Sequence, residues 1–289
     1  WGTSNLRAWA MHDDRPIAAA STDDGMGSLD KSEFEPVLSA AIGPWLAADH
    51  TPIIACGMLG SLQGWVEAPY ANAPTKPLSN ELVRAESYDT RYTVHVIPGI
   101  KQLDPPDVMR GEETQIAGFL KTEPNFDGVI CLPGTHTKWA QISAGEVVSF
   151  RTFLTGELFD LLSKKSVLRH SVGGNWDASA FDEAITDTMA RPEALAASLF
   201  RLRADDLLNG TSPDKTRSRL SGLLIGAEFA AARPYWLGQR IALIGSEKLA
   251  EHYAKALGKL EVETETVDAT SATLAGLGVA RQLVKESYP

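Results

Sequence analysis

The order of the predicted elements, which occurs twice along the chain, constrains the fold more than any other feature. Alternating apolar residues predict paired strands at 6–11 and 16–20, and Asp30 then caps a helix with one apolar face. Past Pro106 the chain forms another helix, followed by strands between residues 129 and 152. Strands and helices that alternate twice in this way predict two related α/β lobes with a cleft between them.

The remaining elements follow from the same periodicities. A strand predicted to be fully buried spans residues 52–56, and a glycine-rich loop follows it from Gly57 to Gly64. Further strands are predicted at 93–97, 129–132, 139–142, 147–152 and 241–244. Helices are predicted to begin near residue 111 and to span 156–164, 177–190, 193–205, 215–233, 247–257 and 269–284.

Two glycines, Gly222 and Gly226, lie one turn apart inside the long predicted helix 215–233. Each costs about 1 kcal/mol of helix stability relative to alanine. They indicate either the close approach of a ligand or a neighbouring backbone, or simply tight helix packing.

The charge balance excludes several classes of partner. The chain of 289 residues carries 27 Lys and Arg against 37 Asp and Glu, a formal net charge of −10. A surface of this sign repels a phosphate backbone and anionic lipid, so neither nucleic acid nor membrane is expected as a partner. With no long apolar run and no signal peptide, we expect a cytoplasmic protein, and Cys56 and Cys131 are predicted to be reduced core residues.

Two turns rich in glycine and hydroxyl residues occupy matching places in the two halves. They are Trp-Gly-Thr-Ser-Asn at 1–5 and Pro-Gly-Thr-His-Thr-Lys at 133–138, and a strand follows each. Backbone N–H groups and hydroxyls in such a turn can bind phosphate, because glycine has no Cβ to block the approach. Lys138 adds a positive charge. The pair is therefore expected to hold a polyphosphate from two sides of a cleft.

A third motif, Arg-Gly-Glu-Glu-Thr-Gln at 110–115, opens a predicted helix. Acidic side chains in a first turn stabilise the helix dipole by a few tenths to about 1 kcal/mol, which is a purely structural interpretation. The alternative is that Glu112 or Glu113 acts as a general base on an alcohol, with Arg110 beside it to bind a substrate carboxylate.

Five segments in order, at 1–7, 64–70, 110–115, 132–139 and 153–159, together resemble the 2-dehydro-3-deoxygalactonokinases. These are sugar-acid kinases of the actin, hexokinase and Hsp70 superfamily, and the resemblance covers essentially the whole chain. It implies ATP-dependent phosphorylation of 2-dehydro-3-deoxy-D-galactonate at its terminal C6 hydroxyl, giving the 6-phosphate in D-galactonate catabolism.

The resemblance also implies a fold and a division of the chain. We expect an α/β protein with two ribonuclease-H-like lobes of the actin and hexokinase type and a nucleotide cleft between them. The N-terminal lobe is expected to comprise residues 1–108 and 268–289, and to bind the sugar acid. The C-terminal lobe is expected to comprise residues 109–267, and to carry the adenosine side.

By the same resemblance, three turns are expected to bind ATP. The residues are Gly2, Thr3, Ser4 and Asn5 in the first phosphate turn, Gly134, Thr135, His136, Thr137 and Lys138 in the second, and Gly245 and Ser246 in an adenosine-side turn. The third turn joins a buried strand to a helix, whose N-terminus favours anionic groups.

Glu113 is expected to be the catalytic base and Glu112 the alternative, since related phosphohydrolases place a glutamate two positions after such a glycine. The loop 57–70 and the segment 151–157 are expected to line the sugar-acid site. The expected substrate-binding residues are Arg7, Met58, Gly60, Trp65, Glu67, Arg110, Arg151, Thr155 and Gly156. The three arginines are candidates for the carboxylate, because a guanidinium matches its geometry.

The family pattern has an aspartate immediately before Trp-Gly-Thr that is expected to hold Mg²⁺, whereas the sequence here starts at Trp1. We therefore expect a few residues to be missing at this end and assign no metal ligand. Three other functions remain open: a kinase for another sugar or sugar acid, an exopolyphosphatase-like hydrolase, and a non-catalytic nucleotide switch, which the long loop 57–77 disfavours. Homodimer formation is also left open.

Overall fold

The computed structural model describes residues 1–46 and 50–287, with side chains as far as residue 285. The chain folds into two compact units. Unit 1 comprises the described residues of 1–127, 142–150 and 267–289, and unit 2 comprises residues 128–141 and 151–266.

Strands and helices alternate along most of the described chain. The strands are β1 (Leu6–His12), β2 (Arg15–Thr22), β3 (Thr51–Ala55), β4 (Ala71–Asn72), β5 (Val83–Ala85), β6 (Tyr92–Val96), β7 (Ile100–Leu103), β8 (Pro106–Met109), β9 (Gly128–Leu132), β10 (Thr137–Ser143), β11 (Glu146–Phe153), β12 (Ile241–Gly245) and β13 (Thr264–Asp268). The helices are α1 (Phe34–Ile42), α2 (Glu112–Thr122), α3 (Thr155–Lys164), α4 (Ala178–Ala190), α5 (Leu195–Asn209), α6 (Pro213–Ala231), α7 (Arg233–Trp236), α8 (Glu247–Gly258) and α9 (Ala269–Ser287).

Unit 1 is built from small sheets covered by helices. Strands β1 and β2 form an antiparallel hairpin, and β3 pairs in parallel with β6, which pairs in the antiparallel sense with β5. The apolar face of α1, with Phe34, Leu38 and Ile42, packs into the core of this unit. Asp30 and Glu33 form a capping box ahead of α1, as the N-terminal signal at Asp30 predicts.

A close helix crossing fixes the position of α2 within unit 1. A Cβ built on Gly118 of α2 would lie 1.9 Å from the carbonyl oxygen of Ala272, and one built on Gly276 of α9 would lie 1.9 Å from that of Thr114. No side chain fits at either position, so the two helices touch through their backbones. The first turn of α2 is therefore positioned by α9.

Unit 2 contains the whole of β9 and β12, which are neighbours in a sheet with the strand order β11-β10-β9-β12-β13. Strands β9 and β12 run parallel and are buried along their whole length. Helices α4 and α6 pack together closely, because a Cβ on Gly222 would lie 2.4 Å from the carbonyl oxygen of Phe181 and one on Gly226 would lie 2.9 Å from that of Ile185. The structure thus supports the tight-packing interpretation of these two glycines.

The predicted elements are present, with ends that differ by a few residues. The prediction that 52–56 forms a fully buried strand is wrong, because β3 is only partly covered. Cys131 lies in the core as predicted, whereas Cys56 is half-buried, and both thiols are free. Several short strands were not predicted: β4, β5, β7, β8 and β13. Runs of two to five residues carry little periodic signal, and β4, β7 and β8 also lie within a few residues of prolines.

The α/β fold class predicted from the sequence is confirmed. The compact units differ from the predicted lobes chiefly in residues 109–127, which belong to unit 1 because α2 packs along α9. Across the described residues, none of the helices combines the length and the apolar character needed to span a bilayer.

The α2–α9 crossing generates a stability prediction. Gly276→Ala forces a methyl group against the Thr114 carbonyl, so we expect it to lower the free energy of unfolding by about 1–3 kcal/mol, as overpacking does. Gly278→Ala, on the same helix, is the matched control, because its nearest neighbours would lie 3.8 Å away. That variant should be neutral or stabilising by up to about 1 kcal/mol through helix propensity. Urea unfolding of both variants measures the difference. Equal unfolding midpoints would contradict the close backbone contact between α2 and α9.

Candidate active site

Two of the predicted nucleotide-binding turns leave the same edge of the sheet in unit 2. Strands β9 and β12 are parallel and in register, with Leu243 opposite Cys131, so the turns that follow them start side by side. A Cβ on Gly245 would lie 3.6 Å from the Pro133 side chain. The carboxyl edge of parallel strands is where α/β proteins bind ligands, because the turns there converge.

The glycine in each predicted nucleotide turn is not required by protein packing. A Cβ on Gly134 would meet nothing within 4 Å, and those on Gly2 and Gly245 would have nearest neighbours at 3.7 and 3.6 Å. None of the three has a left-handed φ. A Cβ would therefore fit at all three positions without a clash, and at Gly134 it would enter open space, which is the property needed where a ligand approaches the backbone.

The turn at 134–138 is held by the start of α3. The backbone N–H of Glu157 donates to the carbonyl of Thr135 (2.9 Å), and its carboxylate lies 2.5 Å from Nε2 of His136. Gly156 lies directly against the carbonyl of Gly134, where a Cβ would approach to 2.3 Å. Gly156, expected to line the sugar-acid site, thus supports the second phosphate turn.

The end of this turn faces the interior of unit 2. Thr137 is fully buried and Lys138 is only 4% exposed, with its Nζ 3.4 Å from the carbonyl oxygen of His136. The ammonium group therefore lies directly behind the turn rather than in bulk solvent. Coulombic attraction to an anion is stronger there than at a solvated surface.

A buried carboxylate on α6, which the sequence analysis did not identify, lies beneath the same turn. Glu228 is 2% exposed and accepts hydrogen bonds from Trp139 Nε1 (2.8 Å), Tyr253 Oη (2.9 Å) and Thr155 Oγ1. Burial raises its pKa to about 7, although these donors act in the opposite direction. The signal in the sequence is a glutamate within a stretch of α6 whose other residues are mostly apolar or glycine.

The first predicted phosphate turn, in unit 1, is fastened to the segment after β2. Backbone N–H groups of Met26 and Gly27 donate to the carbonyls of Gly2 (3.0 Å) and Thr3 (2.9 Å). The Asn5 side chain donates to Asp23 Oδ1 at 3.0 Å. The turn is thus shaped by a contact that the sequence did not predict.

The two candidate bases occupy the first turn of α2. Glu113 is fully buried, and its two carboxylate oxygens accept from the Gly111 N–H (2.6 Å) and the Thr114 hydroxyl (2.9 Å). Glu112 is partly exposed and accepts from the Arg110 N–H at 3.0 Å. Burial, reinforced by the nearby charge of Glu112, raises the pKa of Glu113 to about 7, which suits a base that works near neutral pH.

The Arg110 guanidinium is enclosed by the loop 57–70. Its Nη2 donates to the Ala68 carbonyl (2.8 Å), and its carbon lies 4.2 Å from the centre of the Tyr70 ring. Its Nε and Nη1 are buried without a hydrogen-bond partner among the described residues. Gly60 packs against Nη1, where a Cβ would lie at 2.8 Å. Arg110 therefore contacts the loop 57–70 through its guanidinium group.

The other predicted wall residues lie in both units. Trp65 donates to the Glu86 carbonyl (3.1 Å) and stacks near Phe34, and the N–H of Met58 donates to the Trp1 carbonyl (2.7 Å). Unit 1 contains the turn at 2–5, Arg7, Met58, Gly60, Trp65, Glu67, Arg110, Glu112 and Glu113, and unit 2 contains the turn at 134–138, Arg151, Thr155, Gly156, Gly245 and Ser246.

Comparison with solved structures defines the class of fold. The chain aligns over 99% of its length, at 12% identity and a TM-score of 0.55, with the activator of 2-hydroxyisocaproyl-CoA dehydratase from Clostridium difficile with bound ADPNP. Component A of (R)-2-hydroxyglutaryl-CoA dehydratase from Acidaminococcus fermentans aligns over 98%, at 13% identity and a TM-score of 0.52. The chain therefore has the actin-like ATPase fold.

The family follows from nearer relatives. The family model for 2-keto-3-deoxy-galactonokinase matches residues 1–280, and the chain belongs to this family. It is 36% identical over 98% of its length to a probable 2-dehydro-3-deoxygalactonokinase of Rhizobium meliloti (strain 1021), of which it covers 95%. It is 31% identical over 96% of its length to the 2-dehydro-3-deoxygalactonokinase of Escherichia coli (strain K12), of which it covers 94%.

A crystal structure of a 2-dehydro-3-deoxygalactonokinase protein from Sinorhizobium meliloti has the same fold throughout. The alignment covers 100% of this chain and 98% of that one, at 35% identity and a TM-score of 0.90. The resemblance inferred from five sequence motifs is confirmed, and the chain is a kinase, a transferase of sugar-acid metabolism.

The open glycines generate a binding prediction. Gly134→Ala and Gly245→Ala should each change the free energy of unfolding by less than about 0.5 kcal/mol, because the protein leaves room for the methyl group. Each should weaken ATP binding by about tenfold or more, since a misfit of about 1.4 kcal/mol is a factor of ten. Calorimetric titration with ATP measures the effect. Gly258→Ala, equally open at the end of α8, is the control, and equal ATP affinity in all three variants would contradict the assignment.

The buried base generates a pH prediction. With a pKa raised from 4.5 to about 7, Glu113 keeps its proton in the folded state at pH values where the unfolded chain has lost it. The free energy of unfolding should therefore fall as the pH rises from about 5 to 8, by up to about 3 kcal/mol. Glu113→Gln should remove this part of the slope, and the exposed Glu81→Gln should retain it. Urea midpoints at the two pH values test this, and parallel slopes would contradict it.

Proposed function

We propose that this kinase transfers the γ-phosphoryl group of ATP to the C6 hydroxyl of 2-dehydro-3-deoxy-D-galactonate. Membership of the 2-keto-3-deoxy-galactonokinase family supports the substrate. The observation that carries the mechanism is Glu113, a carboxylate held at the start of α2 with a pKa of about 7. A base with this pKa accepts a proton from an alcohol most effectively near neutral pH.

The proposed step balances as a direct transfer. The C6 oxygen attacks the γ-phosphorus, the bond between that phosphorus and the bridging oxygen of ADP breaks, and the hydroxyl proton passes to Glu113. The carboxylate of Glu113 accepts hydrogen bonds from the Gly111 N–H, the Thr114 hydroxyl and its own backbone N–H, and a carboxylate has about four acceptor sites. Glu113 thus retains capacity to accept the substrate hydroxyl, and Glu112 is the alternative acceptor beside it.

Positive charge for the polyphosphate comes from unit 2 in this proposal. The backbone N–H groups of 134–137, the ammonium of Lys138 and the N-terminus of α8 after Ser246 all lie near the carboxyl edge of β9 and β12. Helix N-termini and turn N–H groups stabilise phosphate oxygens, and phosphoryl transfer depends mainly on such positioning and charge neutralisation. The first turn, Gly2 to Asn5, is proposed to contact the phosphates from unit 1.

We also propose Mg²⁺ as the ion that accompanies ATP. Among the described residues, no group of three or more His, Cys, Asp or Glu side chains is placed to hold a metal ion. The described side chains therefore provide no all-protein site for a metal ion. This fits Mg²⁺, which at phosphate sites is bound mostly by phosphate oxygens and water. When bound, the ion would neutralise phosphate charge, and no step above is assigned to it.

The substrate carboxylate is proposed to bind to Arg7, Arg110 or Arg151. Arg7 and Arg151 are exposed, and Nε and Nη1 of Arg110 have no hydrogen-bond partner among the described residues. Met58, Gly60, Trp65, Glu67 and Thr155 are proposed as the remaining wall of the sugar-acid site. We further propose that unit 1 is the sugar-acid side and unit 2 the adenosine side, and that the enzyme works in the cytoplasm, where ATP is supplied.

A coupled assay of ADP release tests the function. ATP turnover should depend on the 2-dehydro-3-deoxy acid derived from galactonate and be much slower with its gluconate-derived C4 epimer. Faster turnover with the epimer would replace the proposed substrate. Phosphate release without any sugar acid would indicate the hydrolase instead, and no turnover at all would indicate a nucleotide switch.

The catalytic base generates the sharpest kinetic prediction. Glu113→Gln preserves the volume but removes the proton acceptor, so kcat should fall by about 10²–10⁴, the usual contribution of a general base. The KM values for ATP and the sugar acid should change little. Glu112→Gln is the matched control and should keep kcat within a few-fold. A collapse in Glu112→Gln alone would move the base by one residue, and normal rates in both would make the two carboxylates structural.

A further inference from the structure

We propose that Glu228 is a positioning residue that holds the second phosphate turn, residues 134–138, in its nucleotide-binding shape. The proposal rests on the function assigned to that turn above. Glu228 itself touches no substrate, because it lies in the interior beneath the turn and is 2% exposed.

The Glu228 carboxylate joins four separate elements of unit 2. It projects from α6 and accepts hydrogen bonds from Trp139 on β10, from Tyr253 on α8 and from Thr155 at the first position of α3. Charge-assisted hydrogen bonds of this kind are stronger than neutral ones. One side chain therefore fixes three elements relative to α6.

The hydroxyl of Thr137 is drawn into the same network. Its oxygen lies 3.3 Å from that of Tyr253, and the single proton of the Tyr253 phenol is donated to Glu228. Thr137 must therefore donate inward, to the Tyr253 oxygen or to the carboxylate itself. Its proton is then committed to the interior, and phosphate oxygens must be bound by the backbone N–H groups of the turn and by Lys138.

The network controls both ends of the turn. Thr137 is held at its C-terminal end. At the other side, Thr155 fixes the start of α3, where Gly156 abuts the Gly134 carbonyl and the Glu157 N–H donates to Thr135. The backbone of the turn is thus clamped between two segments that both depend on Glu228.

A buried carboxylate is a costly way to obtain packing alone. Apolar residues of similar volume usually serve a core at least as well as buried charged groups. Trp139 and Tyr253, which donate to Glu228, belong to a core cluster that also contains Cys131 and Phe229. An apolar side chain at position 228 would suit these surroundings. Preorganised donors, by contrast, bind an anion without reorganising at the moment of reaction, which is what a fixed turn provides.

The test measures nucleotide binding directly. Glu228→Gln keeps the volume but replaces one acceptor oxygen by an amide NH₂, which faces donors and leaves at least one of them unpaired. We expect the Kd for ATP to rise about tenfold, the scale of one unsatisfied buried donor. The Kd for adenosine, which lacks phosphate, should stay within about twofold, because a displaced phosphate turn costs only phosphate contacts. Exposed Glu193→Gln, the same charge change in the same unit, is the control.

Tyr253→Phe is a second variant, which tests the proposal even if Glu228→Gln fails to fold. It removes only the phenolic oxygen that links Thr137 to Glu228, so the ATP Kd should rise by a few-fold with adenosine binding unchanged. Equal losses of ATP and adenosine affinity would overturn the proposal, because they indicate general loosening of the unit. Unchanged ATP affinity in both variants would also overturn it.

The failure of this proposal differs from the failure of the proposed function. If the sugar acid is not the substrate, wild-type protein binds ATP but shows no turnover that depends on the sugar acid, and the ATP Kd of Glu228→Gln still rises. If Glu228 is not a positioning residue, wild-type turnover is normal and the variant binds ATP like wild type.

Discussion

The parallel pairing of β9 and β12 is the constraint on which the arrangement in unit 2 depends. Both strands are buried throughout, so their backbone groups must be paired within the sheet, and the two strands pair with Leu243 opposite Cys131. That register places the turn at 133–138 beside Gly245. Two turns therefore lie side by side at one edge of the sheet, and each contains a glycine that the packing of the protein does not require.

Among the residues whose side chains are described, each unit contains one buried glutamate close to a turn or helix start with a proposed role. Burial raises the pKa of Glu113 and of Glu228 to about 7, but their hydrogen bonds differ in kind. Glu113 is held only by its own helix start, at Gly111 and Thr114. Glu228 accepts hydrogen bonds from three other elements, so it is proposed as an anchor between them, whereas Glu113 is proposed as the proton acceptor.

Five glycines of this chain illustrate two different physical roles. Gly118, Gly222 and Gly276 lie where another backbone occupies the space of a Cβ, and they bring helices into contact. Gly134 faces open space, a Cβ on Gly245 would make only ordinary contacts at 3.6 Å, and both have ordinary φ values, so nothing in the packing of the protein demands glycine at either position. The same residue type therefore marks structural contacts in one class and proposed ligand approach in the other, and only coordinates separate the two.

The sequence alone determined the α/β class, most element positions, the family and the candidate turns, because these depend on local periodicity and on motifs of adjacent residues. It also placed Glu112 and Glu113 at a helix start. Only the tertiary structure decided that α2 groups with α9, that the Arg110 guanidinium is covered by the loop around Ala68 and Tyr70, and that Glu228 lies beneath the phosphate turn. Those outcomes depend on contacts between residues far apart in the chain, such as Trp139 with Glu228, and on burial, which no local pattern encodes.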